Sequence, residues 1–488
     1  MLPEPPRPQT LEEAHALIRG LWAALLAVRT DLAGLQTRVQ ELEARVGQNS
    51  SNSSRPPSTD PPSAPKRAPA PPPGRRRGAQ PGHPPHQRAV VPLEQVDQVV
   101  EPWPSHCRGC QAPLPPAAVG EPGRHQVTER PPVRAVVPEH QLQHVQCAAC
   151  GTTTGAVLPA AVPAGAFGPR LQATVAVLSG RYRLSRREVV GVCTDVRGAP
   201  LAGGSVDRLC QATAEALAAP VAALEQAAQQ APAAHADETR WREAGQRRWR
   251  WVVVTAVATG FTRAPRRGRG VIQALLGAGF AGYLISARWS AYTWIESDRR
   301  QGCWAHLKRD FPKLVDYGGP GRAIGAAALR LLGGLFGAWA EVRADPTQRP
   351  RFVRRARQYQ WRLRRGLERG QRSPCDKTAN FCTALLKLGP ALWTFVIVPG
   401  LEPTNNAAEQ ALRPAVLWRK GSFGTQSAGG NTFVTRLLSV AATCKQQNRS
   451  LLAYLTAVCT AAQAGPPIPS LLAPPPLLLP HSPVAHAA

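Results

Sequence analysis

The sequence predicts a multidomain α+β protein, with a coiled coil, a zinc-binding segment, a helical segment and an α/β core carrying a helical insertion. Three observations predict it. A heptad seam runs through residues 11–47, and two Cys-x-x-Cys hooks lie within residues 89–162. A strand–strand–helix–strand pattern then opens at about residue 233 and gives way to basic helices. Strands and helices mixed in that order suggest a mixed sheet with helices packed on it.

The seam is built from Leu21, Leu25, Val28, Leu32, Leu35, Val39, Leu42 and Val46, separated by alternating steps of four and three. That is the a/d spacing of a coiled coil. It predicts self-association, most simply a homodimer; an amphipathic helix packed on its own domain is the alternative. Residues 48–88 hold almost nothing apolar and predict a disordered basic linker. Its Lys66, Arg67 and Arg75, Arg76 and Arg77 would touch phosphates without reading sequence, or simply be solvated.

Cys107-x-x-Cys110 and Cys147-x-x-Cys150 are separated by 36 residues. Four thiolates in one short segment are the tetrahedral set that structural zinc prefers. Residues 89–162 therefore read as a zinc ribbon or related finger, with two or three strands expected between the hooks. His106 and His144 adjoin the hooks, but four cysteines already fill the shell.

Residues 163–231 read as helical. Ser185 and Ser205 are placed to cap successive helices, so this segment is a helix-turn-helix or a plain helical hairpin. Residues 233–241 and 248–255 read as neighbouring strands, with Asp237 on the first. A helix near residues 271–276 and a strand at 282–286 follow. Residues 303–400 are mostly helical and basic. Cys303 and His306 open that stretch as a Cys-x-x-His pair, which suits core packing or half of a metal shell. Residues 349–372 hold ten arginines and one acid, Glu368, with Tyr359 and Trp361 interleaved. Such a run grips a DNA backbone or forms a solvated helix face. A C-terminal helix is expected at residues 448–465 and a disordered tail at 466–488.

Within residues 402–430, Asn406 is placed to cap a short helix and Asn406-x-x-Glu409 fits a capping box. Glu409 and Arg413 make an ordinary i,i+4 pair. Pro414 is expected to end or kink the helix. A metal-ligating Glu409 would need partner carboxylates elsewhere in the chain.

Composition bounds the function. Among the 488 residues, 59 Lys and Arg face 31 acids, for a formal charge of +28. That excess favours a nucleic acid partner. Seven of the basic residues are Lys, so a GC-rich genome inflates Arg. The start, MLPEPPRPQT, is polar and proline-rich with no apolar run behind it, which predicts no secretory leader. No run of 18 apolar residues occurs, so no membrane span is expected. Eleven cysteines then read as thiols and metal ligands of a reducing cytoplasm rather than a disulfide framework.

Seven motifs together carry a family resemblance: the zipper, QNSSNSSRPPS, GAQPGH, the double Cys-x-x-Cys, HADET, CWAHLKRDF and EPTNNAAEQALRPAVLWRKGSFGTQS. They cover nearly the whole chain, which resembles the DDE transposases of bacterial insertion sequences, specifically the insertion sequence sixty-six family. The resemblance implies an RNase H-like catalytic core spanning residues 232–447, interrupted by the helical insertion. It implies three carboxylates holding two divalent ions, usually Mg²⁺, for phosphoryl transfer. Asp237 is then the first acid and Glu409 the third. The second acid belongs directly after the strand in GYLISARWSAY, where this chain has Ala287. A methyl group ligates no ion, and Glu296 and Asp298 lie nine and eleven residues further on.

The implied partner is double-stranded DNA, as terminal inverted repeats and target, with accessory proteins of the same element as further partners. Arg354, Arg355, Arg362, Arg413, Arg419 and Lys420 are the candidate DNA contacts. The expected function is a DNA transposase, nucleoid-associated in the bacterial cytoplasm, with strand cleavage and transfer impaired at Ala287. The alternative is an inactive DNA-binding remnant that regulates related elements through mixed dimers. A zinc-and-zipper transcription factor would leave the C-terminal half unexplained.

Overall fold

The computed structural model describes residues 8–46, 89–160 and 162–472. The linker expected at 48–88, with its Lys66, Arg67 and Arg75 to Arg77, lies outside the described residues, as does most of the expected tail.

Helix α1 spans Leu11–Val46. It opens on a reciprocal cap in which the Glu13 N–H donates to the Thr10 hydroxyl and the Thr10 N–H donates to the Glu13 carboxylate. All eight seam residues are solvent-exposed.

In residues 89–160 the only paired strands are β1 (His144–Gln146) and β2 (Thr153–Gly155), an antiparallel pair around the second hook. Of the two or three strands expected between the hooks, one forms, β1, immediately before the second hook. Pro131, Pro132 and Pro138 interrupt the stretch ahead of it, and a residue without an N–H cannot extend a ladder.

Helices α2 (Pro169–Ala176), α3 (Arg186–Gly191), α4 (Gly203–Ala216) and α5 (Ala218–Gln229) follow. Ser185 and Glu188 close a complete capping box on α3. The expected Ser205 cap fails. The cap of α4 is Ala202, and Ser205 is buried in the first turn.

The chain then builds a five-stranded sheet from β3 (Ala233–Glu243), β4 (Gln246–Val254), β5 (Thr259–Ala264), β6 (Tyr283–Ser286) and β7 (Arg300–Gly302), in the order β5-β4-β3-β6-β7. Strands β3, β4 and β5 are antiparallel neighbours, whereas β6 and β7 join β3 in parallel. Helix α6 (Arg269–Leu276) links β5 to β6. Alternation along the strands divides the two faces. Trp241, Val252, Val254 and Phe261 pack against α2, α4, α5 and the C-terminal helices, whereas Ala234, Ala236, Trp251 and Val253 pack against α6, Tyr292 and Ile295.

Residues 303–400 form their own helical unit: α7 (Trp304–Asp316), α8 (Gly319–Ala344), α9 (Arg349–Gln371), α10 (Asp376–Lys387) and the short α11 (Thr394–Ile397). Its core centres on Phe311, Leu332, Trp339, Phe352 and Phe395 and meets the sheet at Ile285. By length and composition Gly319–Ala344 is apolar enough to cross a membrane, although Arg322, Arg330, Glu341 and Arg343 interrupt its apolar run. Here it spends Ile324, Ala328, Leu332, Leu335 and Trp339 on that core.

Helices α12 (Asn406–Ser422), α13 (Ala428–Gln446) and α14 (Leu451–Ala464) complete the sheet's cover. The edge of β5 is sealed by hydroxyls of α13: the Thr259 N–H donates to Thr443 Oγ1 at 3.0 Å and the Phe261 N–H to Ser439 Oγ at 2.8 Å. Pro414 sits inside α12 without ending it, because Leu412 and Ala415 on either side are buried. The GSFGTQS turn after α12 is sewn back onto β3. Thr425 N–H donates to Arg242 O at 3.0 Å, and Ala244 N–H to Thr425 O at 2.9 Å. Gly424 has φ +122°, and a Cβ there would stand 2.2 Å from Arg242 O, so only glycine fits.

Candidate metal and catalytic site

Strands β6 and β7 run parallel to β3 and end level with each other, while β3 runs on to Glu243. Ala236 is in register with Ser286, and Ser286 with Gly302. The next residues along are Asp237, Ala287 and Cys303, side by side along the edge where α7 begins and α12 arrives.

Asn405 fixes how α12 arrives. It is fully buried; its Nδ2 donates to Ala236 O at 2.8 Å and its Oδ1 lies 3.3 Å from His235 Nδ1. Its backbone N–H donates to Cys303 Sγ at 3.2 Å, and its carbonyl accepts from the Glu409 N–H at 3.1 Å. The expected Asn406 cap is therefore one residue off. Asn405 holds the cap position but makes no side-chain cap bond, because its amide is committed to β3. Asn406 is the first, exposed residue of the helix.

Glu409 is thereby aimed at the strand ends. Its partners among the described residues are His306 and Arg309, not Arg413. Oε1 lies 3.5 Å from His306 Nδ1 and 3.8 Å from Arg309 Nη2. Burial pushes the Glu409 carboxyl up, with Arg309 opposing. Burial pushes His306 down to about 4, with Arg309 adding to the effect, so its ring is neutral at pH 7.

Asp237 is close enough for the Glu409 charge to act on it. Burial first, then the Glu238 charge, then that of Glu409, hold its carboxyl at about 8, against the Glu238 N–H that donates to Oδ1 at 2.9 Å. Glu238 on the other side of the strand is occupied: Arg267 Nε donates to it at 2.6 Å, and so does the Tyr292 hydroxyl. The motif reading missed this support because it depends on Tyr292, 54 positions away.

Ala287 borders a cleft of about 30 Å³ lined by Arg288, Trp289, Gln301 and Gly302 among others. Among the described residues, the nearest candidate acids are engaged elsewhere. Glu296 is largely exposed and lies 4.0 Å from Arg299. Asp298 lines a groove with Tyr283, the residue at the far end of β6. Asp310 on α7 is buried but tied to Arg288 and Lys313. Two carboxylates, a methyl, a thiol and an imidazole do not provide the three hard oxygen ligands that two Mg²⁺ ions require, so the residues present do not fit that pair of ions.

The two Cys-x-x-Cys hooks are each folded as the same turn. Cys107 N–H donates to Ala112 O and Gln111 N–H to Cys107 O; in the second, Cys147 N–H donates to Thr152 O and Gly151 N–H to Cys147 O. Gln111 and Gly151 both take positive φ. Hydrogen bonds within each hook hold the Cys107 and Cys150 thiols below their ordinary range. The two hooks are not drawn into one cluster. Among the described residues, the one group of three ligand atoms within 4.8 Å of one another is Cys303, His306 and Glu409.

Of the candidate DNA contacts, Arg354, Arg362, Arg413 and Lys420 are exposed. Arg355 instead faces Glu341 at 3.0 Å. Arg419 donates to Thr239 Oγ1 and Arg240 O at 2.9 and 2.8 Å, a tie between α12 and β3.

The chain is a mixed α+β protein in which Asp237, level with the residues that follow β6 and β7, is approached by Glu409 from a later helix. Residues 164–432 match the transposase IS66 family, and the chain belongs to that family. Residues 3–89 match a family of unknown function. The chain is also 30% identical over 207 residues to the uncharacterized protein y4qI of Sinorhizobium fredii, covering 39% of this chain and 38% of that protein.

Proposed function

We propose that this chain is an insertion-sequence transposase that binds terminal inverted repeats through an RNase H-like core and its appended segments, with strand cleavage and transfer impaired at Ala287. The observation that carries the reading is the register that sets Ala287, just past the end of β6, beside Asp237 of β3, with Glu409 brought in by α12. On this reading Asp237 and Glu409 would be the outer ligands of a phosphoryl-transfer site, and Ala287 would stand where its middle ligand belongs.

The appended segments support a DNA-binding assembly. Residues 89–160 bury no hydrophobic side chain, so a four-thiolate zinc clasp, formed when the ion draws the separate hooks of Cys107, Cys110, Cys147 and Cys150 together, is what would hold them. The exposed seam of α1 supports pairing of two protomers in the cytoplasm across two DNA ends. Arg354, Arg362, Arg413 and Lys420 offer phosphate contacts. The same observations favour a second reading, a remnant that occupies the ends without cutting them.

Ala287→Asp decides between them. A missing ligand in such a site costs about 3 kcal/mol or more of transition-state stabilisation, on the order of a hundredfold in rate. The variant is expected to gain at least that factor in Mg²⁺-dependent strand transfer on the element's own ends. Equal activity of the two proteins discards the impairment, and binding without activity in both favours the remnant.

A further inference from the structure

We propose that Cys303, His306 and Glu409 form a binding site for a divalent transition-metal ion of the zinc type, distinct in ligand chemistry from a Mg²⁺ site. Three elements bring the donors together. Cys303 follows β7 and caps α7, His306 lies in the first turn of α7, and Glu409 comes from α12 about one hundred positions later. The i,i+3 spacing of Cys303 and His306 puts both side chains on one side of that turn.

Two of the three donor atoms make no hydrogen bond. His306 Nδ1 and Glu409 Oε1 are both shielded from solvent and face each other at 3.5 Å, yet neither is engaged in a hydrogen bond. Buried polar atoms are paired in the great majority of cases, and a facing imidazole and carboxylate left open are what an intervening ion would explain. The third donor, Cys303, is fully buried. Its sulfur accepts the Asn405 N–H, an outer contact of the kind that orients and stabilises a thiolate ligand.

The donor set selects the ion. Thiolate and imidazole suit zinc and its neighbours, whereas Mg²⁺ requires oxygen. One thiolate and one carboxylate balance a dication, the thiol proton passing to solvent on binding. Three protein ligands leave one position of a tetrahedral ion open. Arg309, 3.8 Å from Glu409 Oε1, is the one cation that competes for the carboxylate. The site shares Glu409 with the proposed transposase chemistry but does not rest on it, since the ligands need neither DNA nor Ala287.

The test uses the purified full-length chain. Elemental analysis is expected to find two zinc ions per chain, one at the four-cysteine hooks and one here. His306→Ala and the nearly isosteric Glu409→Gln should each lower the content by one ion while the far-ultraviolet dichroism is unchanged. In a Cys107→Ser/Cys147→Ser background, Co²⁺ should still give a thiolate charge-transfer band, lost on Cys303→Ser and resistant to a thousandfold excess of Mg²⁺. Zinc content unaffected by His306→Ala, no Co²⁺ band in that background, or displacement by Mg²⁺ would each overturn the assignment. Absence of the gain in strand transfer expected of Ala287→Asp would bear on the transposase reading alone, because none of these measurements uses DNA.

Discussion

Asp237→Asn is expected to stabilise the ion-free protein at alkaline pH and to change it little in acid. The Asp237 carboxyl is held at about 8 by burial and by the Glu238 and Glu409 charges, against an ordinary 3.8. The folded chain therefore keeps a proton that the unfolded chain has already released between about pH 4 and pH 8. Stability falls as pH rises through that window, and the loss is complete above it. The gap of about 4 converts at about 1.4 kcal/mol per pH unit, an upper figure of roughly 6 kcal/mol. Residual solvent access and relaxation around a charged group reduce it, so a gain of about 2–4 kcal/mol for the variant at pH 9 is the working expectation. Urea unfolding followed by tryptophan fluorescence in EDTA, at pH 5 and pH 9, reads it directly. A difference between wild type and variant that is the same at both pH values would refute the reasoning, because only a titrating group makes it pH-dependent.

Three further outcomes follow from the same geometry. Asn405→Ala removes the tie to Ala236 O and leaves that carbonyl unpaired in the core; a loss of about 2–3 kcal/mol is expected from the urea midpoint, and an unmoved midpoint would mean the tie is not what holds α12. Cys107→Ser combined with Cys147→Ser should unfold residues 89–162, remove one zinc ion per chain and weaken end binding while the sheet stays folded; unchanged metal content by elemental analysis removes the zinc clasp. Leu25→Asp with Leu32→Asp places charges in the exposed seam of α1 and should convert a self-associated protein to monomer in sedimentation velocity, whereas an unchanged sedimentation coefficient would assign the seam another role.

What was legible in the sequence was mainly local. The strand at Asp237 and the helix at Glu409 show in alternation and in a helix start, and Ser185 with Glu188 shows as a capping pattern. Strands β5 and β7 were not legible. Strand β7 is three residues long, and its Gln301 is buried with its Nε2 donating to Leu392 O at 3.2 Å, a partner 91 positions away. Asn405 was overlooked for the same reason. Its two side-chain partners lie on β3, about 170 positions earlier, so the nearer pattern at Asn406 looked like the cap. The Cys-x-x-His pair offered two readings from spacing alone. Cys303 is buried as core packing requires, and it also stands with His306 and Glu409 in one group of ligand atoms. The missing acid at Ala287 was legible only through the family pattern, since an alanine after a strand is unremarkable by itself.

The latch that Asn405 makes between helix and strand has an evolutionary corollary. Because α12 is moored by backbone and amide contacts that do not involve position 287, the architecture does not depend on a carboxylate being there. An alanine codon and an aspartate codon can be one base apart, so a chain of this shape keeps a carboxylate at position 287 within reach of a single point mutation for as long as the mooring holds.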